Sequence, residues 1–290
     1  MAVVREKGYA HWDGRLVERR RPWWPITRAG IRLAFRKKAF RFFFAGGFLP
    51  AFLALGGLYV SERLEDFKAL VQSNRALLRI DPGYFRDFLV NPGFLFLVLI
   101  VLVFAGAGLV ADDLKHNSLQ LYFSRPLTKR DYVVGKMSVV AFFVLALAGL
   151  PWLLLVVFKL VFAGNFEFLA AYPLLPLGIL GYAVFLAVFF ALYFLLLSAS
   201  SRNARYVTIL VFTTYLFSDI LSGILTGIFR TPYMGLFSIR ANIQQAGAVF
   251  FGTKPPLAVP PVWSFAVLAA IGALSLVVLD RKIRGVEVIK

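Results

Sequence analysis

In a chain of 290 residues, 60% of the side chains are hydrophobic and 16% charged, and the mean hydropathy is +0.76; an ordinary soluble domain carries about 25% charged residues, so no aqueous core of this length holds so much apolar surface. The net charge of +17 gathers between Arg5 and Arg41 and in short loops, with no nucleic-acid-binding motif beside it, which suits anionic headgroups and membrane orientation and argues against a nucleic-acid partner. The absence of cysteine excludes disulfides, thiolate metal sites and cysteine nucleophiles.

Residues 1–41 are polar and basic and lack the apolar stretch of about 7–15 residues of a signal peptide, so the first membrane span is expected to direct targeting. Within them, Trp23 to Leu33 combines tryptophans with cations and reads as an interfacial helix. Crossing a hydrocarbon core of about 30 Å takes roughly 20 helical residues. Six apolar runs meet that length, near 42–60, 94–110, 132–158, 173–198, 206–229 and 262–279. An open strand edge in lipid leaves backbone groups unpaired. The predicted fold class is therefore an all-α polytopic membrane protein with six transmembrane helices. Its predicted organisation is a basic N-terminal segment (1–41), a six-helix domain (42–279) and a C-terminal tail (280–290). Of the 32 Lys and Arg residues, 23 fall in the segments on the same side as the two termini. That bias predicts a multi-pass protein of the inner (plasma) membrane with both termini cytoplasmic.

Two predicted outer segments exceed a turn. Residues 61–91 mix both charge signs with Leu64, Phe67, Leu70 and Val71, which predicts one or two helices against the bilayer surface. Residues 231–261 contain Pro232, Pro255, Pro256, Pro260 and Pro261, so part of that segment is expected to be irregular.

Between the second and third runs lies the segment 111–136. Its apolar residues Leu114, Leu119, Leu121 and Tyr122 predict a short amphipathic helix on the cytoplasmic face. Pro126 disfavours helix at Arg125, and Thr128 can cap the next helix. Any six-helix protein needs basic inner loops, so these features alone leave the role of the loop open. Its wording, however, resembles the signature of the ABC-2 type permeases. An acidic pair (Asp112, Asp113) precedes the run Asn117-Ser118-Leu119-Gln120-Leu121, then Ser124-Arg125-Pro126-Leu127-Thr128-Lys129 leading to Tyr132, then Gly135-Lys136. At His116-Asn117-Ser118 the family often has a Gly-Thr pair. The resemblance implies that residues 114–124 form a coupling helix docking on a separate ATP-binding subunit. It further implies a second permease subunit, as homo- or heterodimer, and export as the direction. The ATPase-coupling residues are then Asp112, Asp113, Leu114, Leu119, Leu121, Tyr122, Ser124, Arg125 and Pro126.

Absences point the same way. The phosphate-cradling motif G-x-x-x-x-G-K-[ST] does not occur; Gly135-Lys136 is followed by Met137 inside an apolar run. This predicts a transport subunit without an ATPase site of its own, which binds no cofactor, with ATP and Mg held by the partner. His11 and His116, the two histidines, give no metal motif. Asp219 lies near the middle of the fifth run, where a carboxylate costs roughly 2.5–3.5 kcal/mol on insertion scales and needs a partner or water; it reads equally as a pathway group or as a helix-packing group, with Ser218 or Ser222 nearby. An intramembrane lipid-modifying enzyme would need clustered acids or a nucleophile with a base at membrane depth, and one isolated aspartate does not supply them. A secondary transporter would usually show inverted repeats and broken helices, and no internal repeat is evident.

Overall fold

Helices pair all their own backbone groups, which is what lipid demands, and every regular element among the described residues is helical. The structure is a computed structural model that describes residues 21–63, 80–123 and 127–284. Six of its helices are long and apolar enough to cross a membrane: Lys38–Glu62, Pro92–Lys115, Lys129–Ala163, Leu175–Ser200, Ala204–Phe229 and Pro261–Ile283. Each contains most or all of one predicted run and extends past it, because a helix continues through polar residues after the apolar stretch ends. The first therefore starts at Lys38, inside the segment 1–41.

The first described helix is α1 (Trp24–Arg36), which has Pro25 in its first turn, a position where the missing N–H costs nothing. Lys37 is extended, at φ −79° and ψ 121°, and bends the chain into α2 (Lys38–Gly46) and α3 (Leu49–Arg63) of span 1. Helix α4 (Pro82–Leu89) is capped by Asp81, which accepts from the Tyr84 amide at 3.1 Å. A helix is thus present in the later part of the segment 61–91, with Phe85 and Leu89 buried against the protein; Leu64, Phe67, Leu70 and Val71 lie outside the described residues. Span 2 consists of α5 (Pro92–Gly106) and α6 (Gly108–Lys115), interrupted at Ala107, and leads to the short α7 (Ser118–Phe123).

Span 3 joins α8 (Lys129–Val144) and α9 (Leu150–Ala163) through a π turn, Leu145–Gly149. Pro151 has no N–H to offer the Leu147 carbonyl, and the Trp152 indole Nε1 donates to that carbonyl at 3.2 Å. After α10 (Glu167–Ala171), span 4 is the unbroken α11 (Leu175–Ser200) and span 5 is α12 (Ala204–Phe229). Spans 2 and 4 are the most buried, and spans 1, 5 and 6 present most of their surface outward.

The segment between spans 5 and 6 is more ordered than its prolines suggest. A 3₁₀ helix, Pro232–Phe237, runs back along span 5, and α13 (Ile239–Phe250) then returns until the Phe250 ring meets Tyr182 and Phe185 of span 4, at 6.0 and 5.8 Å between centroids. Residues 251–260 are the irregular part before α14 (Pro261–Arg284). Buried amide side chains serve the non-helical backbone here. Gln245, fully buried, donates to the Val259 carbonyl at 2.8 Å and accepts from the Leu257 amide at 2.9 Å, while Asn242 donates to the Leu236 and Ser238 carbonyls, each at 2.7 Å. Irregular backbone beside membrane spans is tolerated when protein satisfies it in this way.

Candidate coupling site

Six successive crossings put the loops 2–3 and 4–5 on the side of the two terminal segments, and the packing of the loop 2–3 against α1 and the end of α14 agrees with this. Leu119 of α7 is buried in a small apolar cluster with Ile26 of α1, Tyr132 of α8 and Ile283 of α14, against which Leu114, Tyr122, Leu127 and Val133 pack. The loop is therefore tied to three spans and to α1. Contact between α1 and α8 is close enough that a Cβ on Gly135 would stand 2.9 Å from Ile26 and 3.0 Å from the Trp23 carbonyl oxygen. The Thr27 hydroxyl donates to the Gly135 carbonyl at 3.0 Å.

The amphipathic helix read from residue 114 onward is divided in two. His116 and Asn117 separate α6 from α7, and Asn117 takes φ 52°, a left-handed conformation that asparagine tolerates better than most residues. Asp112, Asp113 and Leu114 accordingly belong to the end of span 2, while Leu119, Leu121 and Tyr122 belong to α7. Leu119 points into the protein at 2% exposure and Leu121 is 72% exposed, so the two leucines serve opposite faces. Ser124, Arg125 and Pro126 lie outside the described residues. Thr128 caps α8 as its sequence suggests: its hydroxyl accepts from the Asp131 amide at 3.1 Å and Asp131 accepts from the Thr128 amide at 3.0 Å, a reciprocal capping box.

Asp113 is the centre of the corner. Its Oδ2 accepts from Lys136 Nζ at 2.6 Å and from the Tyr132 hydroxyl at 2.7 Å. The Asp113 and Lys136 side chains are only 14% and 9% exposed, and the ammonium also stands 5.4 and 5.6 Å from the ring centroids of Tyr132 and Tyr122. A buried charge pair holds when hydrogen bonds and aromatic faces replace the lost water, and both are present. The acidic residue, the tyrosine and the lysine of the sequence signature thus form one unit, pinning the end of span 2 to the start of span 3. Burial pushes the Tyr122 hydroxyl pKa up, with the Asp113 carboxylate adding to the effect.

Asp112 does not join that unit. Its backbone carbonyl meets His116 Nδ1 at 2.8 Å, and its carboxylate acts on Lys37: desolvation lowers the lysine pKa, and Asp112 pulls it back up. Among the described residues no group of His, Asp and Glu is arranged to hold a metal ion.

Asp219 lies ten residues before Phe229 at the far end of span 5, about 15 Å along the helix at ~1.5 Å per residue. Arg240 at the start of α13 clamps it in two places, Nε to Oδ2 at 2.9 Å and Nη2 to Oδ1 at 2.8 Å, and the Ser238 hydroxyl donates to Oδ1 at 2.8 Å. Arg240 Nη1 also donates to Gln244 at 2.9 Å. The neighbour Ser218 accepts from the Ile239 amide at 3.2 Å and so serves the same junction from one residue away. Sequence reasoning looked for the partner of Asp219 on its own helix and missed Arg240. The signal was a lone cation in an otherwise uncharged stretch, Ser238 to Thr253.

Six apolar spans around a pinned loop 2–3, with a helix that folds back between spans 5 and 6, define a polytopic helical membrane protein. A family model described as an ABC-2 family transporter protein matches residues 64–251. The chain belongs to that family and is a multi-pass membrane permease. A search of the curated proteins returns no match.

Proposed function

We propose that this permease works in an exporter powered by a separate ATP-binding subunit, with α7 as the helix that docks on it. The observation that carries the reading is the Asp113–Lys136–Tyr132 unit. It holds α7 at a fixed place on the corner of spans 2, 3 and 6 while Leu121 and Gln120 face outward. A partner that moves α7 therefore moves spans, rather than deforming a loose loop. The contact falls to the exposed Leu121 face, with Asp112 and Asp113 acting from behind it and Leu114, Leu119 and Tyr122 as its apolar support. Ser124, Arg125 and Pro126 are assigned to the same contact on the family resemblance alone.

Both termini and this corner are cytoplasmic in the inner (plasma) membrane, on the charge bias of the loops. ATP and Mg belong to the partner, and two permease subunits enclose the path. Asp219 is a packing group in this reading: its bidentate arginine fixes α13 to span 5. The test is purification of the tagged chain from native membranes in a mild detergent. The expected preparation hydrolyses ATP through a second polypeptide carrying a phosphate-binding loop. A chain that purifies with no such polypeptide would refute the reading.

A further inference from the structure

Ser198, near the end of span 4, is fully buried, and all of its hydrogen-bonding capacity is spent on span 2. Its hydroxyl donates to the Ala107 carbonyl at 2.8 Å and accepts from the Val110 and Ala111 amides at 2.9 and 3.0 Å. A hydroxyl offers one donor and two acceptor sites, so none remains. In a regular α-helix the Ala111 amide pairs with the Ala107 carbonyl; here both ends of that rung meet Ser198. Span 2 is interrupted at this residue, between α5 and α6, and a side chain inserted into the ladder is a recognised cause of a bend. The two spans are in close contact just before it, since a Cβ on Gly106 would come within 2.7 Å of the Phe194 ring. On the α5 side of the interruption Lys37 Nζ donates to the Phe104 carbonyl at 2.7 Å. Side chains from two other elements thus take the backbone groups on either side of Ala107.

We propose that Ser198 is a positioning residue for energy coupling: it keeps span 2 jointed at Ala107, so that α6, with Asp112, Asp113 and the attached α7, moves with span 4 as a lever separate from α5. The first turn of α6 is satisfied by span 4, so its direction is set by span 4. A push on α7 reaches span 4 through this joint, and α5, buried among its neighbours along most of its length, stays in place. The inference rests on α7 being the docking helix, and the experiment keeps the two ideas apart.

The chain has no cysteine, so cysteines introduced at the exposed positions Asp87 and, at the end of α6 and off the docking face, Lys115 carry spin labels without background. Distances between them are measured in lipid nanodiscs, first for the permease alone and then with its ATP-binding subunit, before and after trapping with ATP and vanadate. Ser198→Ala and Ser198→Gly free the two amides to pair within span 2, and the resting distance of the permease alone is expected to shift in both variants. Ser198→Thr keeps the hydroxyl and is expected to hold the wild-type distance. In the complex, the ATP-driven change seen in wild type is expected to be lost in the hydroxyl-free variants while the partner stays bound. Wild-type distances and a wild-type ATP response in Ser198→Ala and Ser198→Gly would overturn the joint. A wild type with no ATP-driven change would instead count against α7 as the docking helix, and the resting shift would still decide the joint.

Discussion

Two ion pairs tie polar segments to the spans, one at the termini side and one about 15 Å inside the far end of span 5 at ~1.5 Å per residue, and they are built differently. At the termini side, Asp113 and Lys136 are nearly buried, bridged at one oxygen and covered by two tyrosine rings. Toward the other side, Asp219 and Arg240 are 34% and 28% exposed and meet through a two-point clamp that Ser238 and Gln244 complete. A one-oxygen contact under aromatic cover tolerates rotation about a point, whereas a planar fork fixes orientation as well. The first arrangement suits a corner that transmits motion, the second a segment that must stay where it is.

Breaking each pair on one side shows the difference. Lys136→Met leaves the Asp113 carboxylate buried without its cation and is expected to cost about 3–5 kcal/mol, read as a lower melting temperature in detergent; replacing Asp113 by Asn in the same chain is expected to restore most of it. Arg240→Gln removes the clamp from the more exposed Asp219 and is expected to cost about 1.5–3 kcal/mol, the range for hydrogen bonds to charged groups. Proteolysis at the α13 segment should rise with it, while partner binding at the termini side stays unchanged. Recovery of wild-type stability by Arg240→Lys would show that charge alone matters, against the two-point clamp. A smaller effect belongs to the helix start beside the first pair: Thr128→Ala removes the capping box and is expected to cost about 1 kcal/mol, checked by the same melts.

Much of this architecture is legible in the sequence because lipid leaves so few options. The six runs and the cap at Thr128 follow from span length and capping chemistry. What escaped was long-range. Arg240 lies 21 positions from Asp219 in a segment whose prolines read as irregular outer loop, and the fold-back of Pro232–Phe237 that brings them together has no periodic signature. Ser198 is one hydroxyl in an apolar run, and its partners are backbone groups 87 to 91 positions away. The undivided amphipathic helix missed its interruption at His116–Asn117 because hydrophobic spacing carries no record of a single left-handed residue. Leu119 and Leu121 likewise look equivalent in sequence, and only packing shows that one is support and the other surface.

That last distinction gives the most direct test of the central claim, that α7 is a docking helix on a pinned corner. The measurement is the amount of ATP-binding subunit recovered with the tagged permease when Leu121 is changed to Asp. The account predicts loss of the subunit at unchanged permease yield and melting temperature, because Leu121 is 72% exposed and its replacement leaves the Leu119 cluster intact. Wild-type recovery of the subunit with Leu121→Asp would contradict it.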